Sequence, residues 1–333
     1  MSEIEIRALD AADDADMDAF QDVYAAAELA EDPEAGLYSR ADGVAMLSNP
    51  DPGTLFEGYG AYVEGTMVGE TILMGSHRDN LHRMRMLLWV HPEQQGRGYG
   101  TALLAHTEER AGTLGRTLLL SQSRVGAGRE RNLRFAERHG FVPTLTEVER
   151  RRPLPVEADL LDRLTAEAAP HHRDYEIRAV VGPVPDDLRA SYVDLDNLLL
   201  VEMPHLGDAV EASRNTLETL DAVERERAEA GRTAVTAYAL TDGQVVAFAE
   251  ASVAGGDATH VDQFGTLVHP DHRGHRLGMA VKCAQLRLLS EQFADRDHIG
   301  TSNAEINAHM VAINVALGFE VHQVWTEFEK HLG

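Results

Sequence analysis

The stretch VHPEQQGRGYG at residues 90–100 has a close copy, VHPDHRGHRLG, at residues 268–278. The same offset of 178 residues relates Gly140-Phe141 to Gly318-Phe319, and the stretches between align without a gap. A repeat of this kind, with a period as long as a domain, indicates the tandem duplication of one domain and not a solenoid.

A second pair of matching segments lies near the start of each copy, where EIRA occurs at 5–8 and again at 176–179. The whole domain therefore recurs, and the segment between the copies contains a short amphipathic stretch that predicts one helix. We predict an N-terminal domain at 1–155, a linker at 156–173 and a C-terminal domain at 174–333.

Length and composition agree with two soluble domains. The chain has 333 residues, which is more than one hydrophobic core usually serves, and its formal net charge is -25. Such a surface repels nucleic acid and anionic membranes and attracts cationic substrates such as amines.

No apolar run reaches the ~18 residues of a membrane span, and the acidic N-terminus lacks the features of a signal peptide, so we expect a cytoplasmic protein. The single cysteine, Cys283, cannot form an internal disulfide, and we expect it to be a small buried hydrophobe.

Apolar periodicity and turn residues predict the order β-α-α-β-β-β-α-β-α-β in each copy. Glu64-Gly65 and the TDG at 241–243 mark the turns of the two β-hairpins. Helical spacing extends over 208–230 in the second copy. The predicted fold class is α/β, with a mixed sheet of the α+β kind that is mostly antiparallel.

The repeated glycine segment joins the end of a strand to the start of a helix. Gly96, Gly98 and Gly100 allow backbone angles closed to other residues and let a ligand approach the main chain. Backbone N–H groups and the helix dipole at such a place favour a phosphate or pyrophosphate. No Gly-Lys-Ser/Thr follows, which excludes a P-loop, and the position after the third strand of a meander argues against a dinucleotide-binding unit.

VHPEQQGRGYGTALL resembles the acyl-CoA-binding motif of the GCN5-related N-acetyltransferases, Gln/Arg-x-x-Gly-x-Gly/Ala, which Gln95, Gly98 and Gly100 fill. The second copy, with TSNAEINAHMVAINVALGF at 301–319, is similar to the C-terminal half of the tandem members, an architecture that mycothiol synthase also has. The resemblance implies two tandem acyl-CoA N-acyltransferase domains with acetyl-CoA as the cofactor.

The resemblance also implies which residues hold acetyl-CoA. Its pyrophosphate would rest on the loop amides, and its pantetheine arm would pair with the preceding strand like an added strand. The expected cofactor-binding residues of the first copy are Leu88, Trp89, Val90, Gln95, Gly96, Arg97, Gly98, Tyr99, Gly100 and Thr101. Those of the second copy are Leu267, Val268, Arg273, Gly274, His275, Arg276, Leu277, Gly278 and Asn303.

The two copies depart from the family pattern at three places. Arg276 stands where the first copy has Gly98, so its side chain either pairs with a phosphate or bonds a neighbouring element. Many family members have a tyrosine acid four residues before the glycine of Gly-Phe, and here those positions are Ala136 and Asn314. The proton for the leaving thiolate must then come from another group or from water.

Candidate catalytic residues are Glu250, Asp262 and Tyr238, although residues of these types more often have a structural or solvated role. Strand alternation puts Asp262 and Gln263 on opposite faces, so at most one of them lines the cleft. Further candidates are Glu70 on the corresponding hairpin of the first copy, and His260. Asn303 and Asn307 could bond CoA or cap a helix. Glu202 and His205 lie where the family's acceptor loop runs and are expected to meet substrate, and we expect no metal.

The sequence therefore favours an acetyl-CoA-dependent N-acetyltransferase acting on a primary amine of a small molecule. Two alternatives stay open, a non-catalytic CoA-binding or scaffold protein and an acetyltransferase for protein lysine or N-terminal amines. The expected partners are a small-molecule amine without nucleic acid or membrane, and the expected state is a monomer or a homodimer.

Overall fold

The structure is a computed structural model that describes residues 4–48, 51–126, 128–203, 210–255 and 259–333. The strands are β1 Glu5–Ala8, β2 Thr54–Val63, β3 Thr66–Ser76, β4 Arg83–Val90, β5 Leu118–Val125, β6 Val142–Pro153, β7 Glu176–Val181, β8 Thr233–Thr241, β9 Gln244–Val253, β10 His260–Val268, β11 His298–Ala304 and β12 Glu320–His331. The helices are α1 Asp14–Glu31, α2 Arg40–Ser48, α3 Tyr99–Thr113, α4 Glu130–Arg138, α5 Ala158–Ala168, α6 Arg189–Asp196, α7 Leu199–Glu202, α8 Leu217–Glu229, α9 Leu277–Gln292 and α10 Ala308–Ala316.

The described residues form two compact units. Unit 1 comprises the chain up to Leu145 together with Trp325–Gly333, and unit 2 comprises the chain from Thr146 to Val324. The boundary passes through two strands, because β6 begins in unit 1 and continues into unit 2, and β12 begins in unit 2 and ends in unit 1.

Unit 1 has a mixed sheet with the strand order β1-β2-β3-β4-β5-β12. Its hairpin turns at Glu64 and Gly65, whose φ angles of 51° and 81° give the left-handed turn that suits a two-residue connection. The strands from β1 to β4 pair antiparallel, and β4 and β5 pair parallel. One face of the sheet packs against α1 through Met17, Phe20 and Ile72.

The other face of the unit 1 sheet packs against α3. Leu103 lies against Ala61 and Val68, and Leu104 belongs to a larger cluster with Leu73 and other buried side chains of β4, β5 and β12. The strand β3 is buried on both faces over residues 67–73, because helices cover both sides of the sheet.

Unit 2 repeats the arrangement with the strand order β6-β11-β10-β9-β8-β7. Its sheet packs against α9 on one face, where Leu277 and Val281 meet the alanines of β8 and β9. On the other face, Tyr192 of α6 lies in a cluster with Phe248 and Leu267. The mixed sheet confirms the predicted fold class, and the predicted element order holds in both copies except for the additional four-residue helix α7 in unit 2.

The linker helix predicted between the copies is α5. Its Leu161 and Leu164 are buried in the core of unit 2, against Cys283 and Leu286 of α9. Cys283 is buried and unpaired, as expected from the sequence.

The helix predicted over 208–230 is shorter than expected. It begins at Leu217, because Thr216 caps it by accepting from the backbone N–H of Thr219 while Thr219 bonds back to Thr216. This reciprocal capping box defines a sharp start that helical spacing alone did not reveal. No helix in the described ranges is long and apolar enough to cross a membrane.

Candidate functional site

The first glycine loop follows β4 through a 3-10 turn at Pro92–Gln94. The turn is capped by His91, whose Nδ1 accepts from the N–H of Glu93 at 3.3 Å, and Gln95 Nε2 donates to the carbonyl of Val90 at 3.1 Å. The chain therefore reverses tightly next to the end of the strand, which places the loop directly beyond the backbone of β4.

Gly96 and Gly98 occupy the left-handed region, with φ angles of 78° and 92°. A Cβ at either position would meet no heavy atom within 4 Å, so the loop keeps an open concave face where a bulky group can approach. Since no packing would exclude a side chain, the positive φ angles are what favours glycine at these two positions.

Helix α3 begins immediately after Gly98. The first helical bond runs from the N–H of Ala102 to the carbonyl of Gly98 at 3.1 Å. The N–H groups of Tyr99, Gly100 and Thr101 are thus first-turn donors without an acceptor inside the helix, and with the helix dipole they suit a pyrophosphate.

The strands β4 and β5 diverge beside this loop. Their parallel ladder joins Arg83, Met84 and Arg85 to Leu118, Leu119 and Leu120 and ends there in the described chain. The later part of β4, with Leu88, Trp89 and Val90, runs on past the ladder, so its backbone can pair with an extended ligand as an added strand does. The assignment of these residues and of the loop to the pantetheine and pyrophosphate of acetyl-CoA stays a prediction.

A polar cluster that the sequence analysis missed lies at the opening between β4 and β5. Glu28 of α1 accepts from Trp89 Nε1 at 2.7 Å and forms a salt bridge with Arg124 of β5, also at 2.7 Å. The guanidinium of Arg124 stacks over the ring of Trp325 at 4.4 Å from its centroid, and Tyr24 meets Trp89 edge-on at 5.3 Å. The cluster joins four elements far apart in sequence, so no local pattern could indicate it.

Glu70 lies directly across from Trp89 in the ladder between β3 and β4. It is 0% exposed, and neither carboxyl oxygen has a hydrogen-bond partner in the described part of the chain. Burial raises the pKa of Glu70 well above its usual value, because the charged form loses its water without gaining a partner. An unpartnered buried carboxyl is rare in native structures and is often functional.

The second glycine loop has the same shape as the first. His269 caps a 3-10 turn at Pro270–His272, and Arg276 takes the left-handed conformation of Gly98 with a φ of 53°. Its side chain leaves the loop and donates to the carbonyl of Glu167 at 3.2 Å. An arginine at this position therefore preserves the backbone cradle, at a strain of about 1 kcal/mol.

Other side chains of the second loop are also held by neighbours within unit 2. Arg273 forms a salt bridge with Glu202, the residue expected to meet substrate. His275 bonds the carbonyl of His171 at 3.1 Å. His205, the other expected substrate residue, lies outside the described residues.

The strands β10 and β11 diverge after a parallel ladder from His260–Asp262 to His298–Gly300. Leu267 is buried on the α6 face, whereas its counterpart Trp89 is half-buried and hydrogen-bonded to Glu28. Phe248 likewise replaces Glu70 at the same offset of 178 residues. On this face the opening of unit 2 is therefore apolar where that of unit 1 is polar.

The three catalytic residues expected from the sequence lie in unit 2, where Glu250 and Tyr238 both contact Tyr192 and Asp262 pairs with other side chains. Glu250 is 5% exposed, accepts from the Tyr192 hydroxyl at 2.6 Å and pairs with Arg227. Tyr238 is fully buried, and burial raises its pKa well above the usual range.

Asp262 forms a salt bridge with Arg232 at 2.8 Å, with His260 Nε2 3.7 Å away. These ion pairs and burial are what a structural role would produce. The assignment of Glu250, Asp262 and Tyr238 to catalysis stays a prediction. No group of three or more metal-binding side chains is arranged to hold an ion in the described ranges.

Asn303 and Asn307, which the sequence suggested for binding CoA or capping a helix, differ in their contacts. Asn307 caps α10 by accepting from the N–H of Met310 at 3.3 Å. Asn303 of β11 lies past the end of the ladder with β10, and its Oδ1 accepts from Asn314 Nδ2 at 2.5 Å. Asn314 in turn accepts from Lys282 Nζ at 2.7 Å.

Comparison with known proteins gives two kinds of match. The model of the acetyltransferase (GNAT) domain matches residues 56–143, which contain the first loop. A tandem GNAT protein from the clavulanic acid biosynthesis pathway has a similar solved structure, with a TM-score of 0.79, 25% sequence identity and 99% of each chain covered.

A GCN5-related N-acetyltransferase from Sphaerobacter thermophilus is also similar, with a TM-score of 0.64, 17% identity, and coverage of 99% of this chain and 96% of that one. At this identity the second likeness concerns the fold alone. No curated protein matches the sequence.

Proposed function

Because the chain belongs to the GCN5-related N-acetyltransferases and has their two-domain architecture, we propose that it transfers the acetyl group of acetyl-CoA to a primary amine of a small molecule. The observation that carries the proposal is the open glycine loop beside the point where β4 and β5 diverge. We also propose that the two domains extend over 1–155 and 174–333, with the linker at 156–173.

Acetyl-CoA supplies the thioester whose C–S bond is cleaved while a C–N bond to the amine forms. In unit 1, the N–H groups of Tyr99, Gly100 and Thr101 would hold the pyrophosphate. The backbone of Leu88–Val90 would orient the thioester, and an N–H of this strand would stabilise the oxyanion that develops on its carbonyl.

The acceptor amine must lose a proton before it attacks. Glu70, across from Trp89, is the candidate base, because its raised pKa makes the carboxylate a stronger proton acceptor. Glu28 keeps Trp89 and Arg124 in place at the same opening. For unit 2, Glu250, Asp262 and Tyr238 remain the predicted candidates.

Two observations support a small amine as the acceptor. The net charge of -25 and the carboxyls at the opening favour a cation over an anion. The similar tandem protein belongs to the biosynthesis of a small molecule, clavulanic acid, which is consistent with a small acceptor here.

The experiment that tests the proposal measures free thiol released from acetyl-CoA with a panel of small amines and a panel of peptides. We expect release with a small amine and none with peptides, and the Gly98→Asp variant shows how much turnover depends on the first loop. Release with peptides alone would favour a protein acetyltransferase. Binding of acetyl-CoA without release in either panel would favour a scaffold protein.

A further inference from the structure

Lys282 is one of two lysines in the chain, and it lies inside the core of unit 2. Lys282 is 0% exposed, and its Nζ lies 2.7 Å from Asn314 Oδ1 and 5.1 Å from the centroid of the Phe319 ring. Burial lowers the pKa of Lys282 to about 7. Lysine is rarely buried without a charged partner, so the position calls for an explanation.

The hydrogen bonds of Lys282 lead to the opening between β10 and β11. Asn314 is itself 0% exposed, and its Nδ2 donates to Asn303 Oδ1 at 2.5 Å. Asn303 is half-buried and lies three residues beyond Gly300, where the parallel ladder with β10 ends. The series Lys282, Asn314 and Asn303, which we name the amide relay, therefore runs from the core to the strand segment expected to meet acetyl-CoA.

The direction of each bond follows from the chemistry of its first member. In its charged form Lys282 has only donors, so the oxygen of Asn314 then faces Lys282 and its NH₂ group faces Asn303. Asn303 then accepts through its oxygen, and its own NH₂ group is the donating end of the relay. Lys282 thereby determines which atom of Asn303 is offered to a ligand.

The first copy shows that the fold does not need this relay. At the same offset of 178 residues, Lys282 corresponds to Leu104 and Asn314 to Ala136, both buried and apolar. Asn303 corresponds to Val125. The three equivalent positions are thus apolar in the first copy and polar in the second. Burying polar groups costs free energy, and the first copy shows that the fold does not require them.

We propose that Lys282 is a positioning residue that holds the Asn303 amide as a hydrogen-bond donor to a carbonyl oxygen of acyl-CoA bound in unit 2. The inference rests on the proposed function, because it requires that the second loop binds this ligand. It assigns to unit 2 a recognition device for the pantetheine or thioester part, distinct from the polar cluster around Glu28 in unit 1.

The test measures binding by calorimetry in the Gly98→Asp background, which isolates the second site. Acetyl-CoA is compared with adenosine 3′,5′-bisphosphate, a fragment that lacks the pantetheine arm. We expect Lys282→Leu to weaken acetyl-CoA about tenfold, as for one lost hydrogen bond, and to leave the fragment's affinity unchanged. Leucine is the residue at the equivalent position of the first copy, Leu104, so Lys282→Leu removes the ammonium while keeping a side chain that the fold packs there.

A double-mutant cycle between Lys282→Leu and Asn303→Ala provides a second readout. Because both act through one amide group, the double variant should bind acetyl-CoA no more weakly than Asn303→Ala alone. Additive losses, or equal weakening of acetyl-CoA and the fragment, would mean that Lys282 only supports packing and would overturn the inference.

The design also separates this inference from the proposed function. If wild-type protein binds acetyl-CoA but the Gly98→Asp variant does not, the second loop is no acyl-CoA site and the relay has no such ligand, while the function of unit 1 stands. If the wild-type protein binds no acetyl-CoA at either site, the proposed function fails as well.

Discussion

Replacing Gly98 by aspartate tests the anion site of the first loop most directly. Gly98 has a φ of 92° and a ψ of -2°, and a Cβ there would meet nothing within 4 Å. Asparagine and aspartate tolerate this backbone region better than most residues, so each substitution costs about 1 kcal/mol of local strain and no steric clash. The two variants have side chains of nearly the same shape, and the aspartate carries a negative charge where the asparagine has a neutral amide.

The charge effect can be worked out from the expected position of the pyrophosphate. A carboxylate about 5 Å from one phosphate charge, at an effective dielectric constant near 20, is repelled by roughly 3 kcal/mol. This corresponds to a loss of affinity on the order of 100-fold. We expect Gly98→Asp to lose this much and Gly98→Asn to lose no more than a few-fold.

Calorimetric titration of acetyl-CoA measures both affinity and stoichiometry. A higher salt concentration should reduce the difference in affinity between the two variants, because salt screens the repulsion. If Gly98→Asp and Gly98→Asn bound acetyl-CoA equally well at the first site, no phosphate would lie near this residue. The assignment of the loop would then be wrong.

Three further predictions concern the stability of the fold, each measured by urea unfolding. Folding raises the pKa of Glu70, so its contribution to the free energy of unfolding is fully present below pH 4.5 and is lost as pH rises toward the folded pKa, by up to about 1.4 kcal/mol per pH unit. The stability of Glu70→Gln relative to wild type should therefore increase as pH rises above 4.5, and parallel stability curves would contradict this. Arg7 lowers the pKa of Asp16 from 3.8 to about 2, so Asp16→Asn should reduce the free energy of unfolding by about 2 kcal/mol at pH 7. This difference from wild type should shrink as pH falls from about 4 to about 2, and a constant difference would show that the ion pair is not the cause. Thr216→Ala should remove the capping box of α8 and cost about 1 kcal/mol, whereas Thr216→Ser should cost little; equal losses would assign the effect to packing.

Much of the fold was accessible from the sequence because the evidence was local or repeated. The matching loops at 90–100 and 268–278 revealed the duplication, and turn residues such as Glu64-Gly65 defined the hairpins. The start of α8 was predicted too early because the sequence 208–216 has helical spacing, whereas the capping box of Thr216 and Thr219 makes the helix begin at Leu217. Periodicity does not show where a helix is capped.

The candidate site divides in the same way. Loop positions such as Gly98 could be read from a motif of a few residues, whereas the cluster of Glu28, Trp89 and Arg124 exists only after α1, β4 and β5 have come together. Lys282 lies in a helix with an ordinary apolar period, where a lysine normally indicates the solvent side. Only its burial against Asn314 distinguishes it.

The division of β6 and β12 between the two units has a consequence for folding during synthesis. Unit 1 closes its sheet with the end of β12, where Phe328 enters its core and Leu332 bonds the carbonyl of Thr117. The first domain to leave the ribosome therefore cannot finish folding until the C-terminal residues Trp325–Gly333 have been synthesised. Contacts of such long sequence separation slow folding and leave an open sheet edge during translation. Shortening the chain by its last strand would accordingly damage the domain at the opposite end of the sequence.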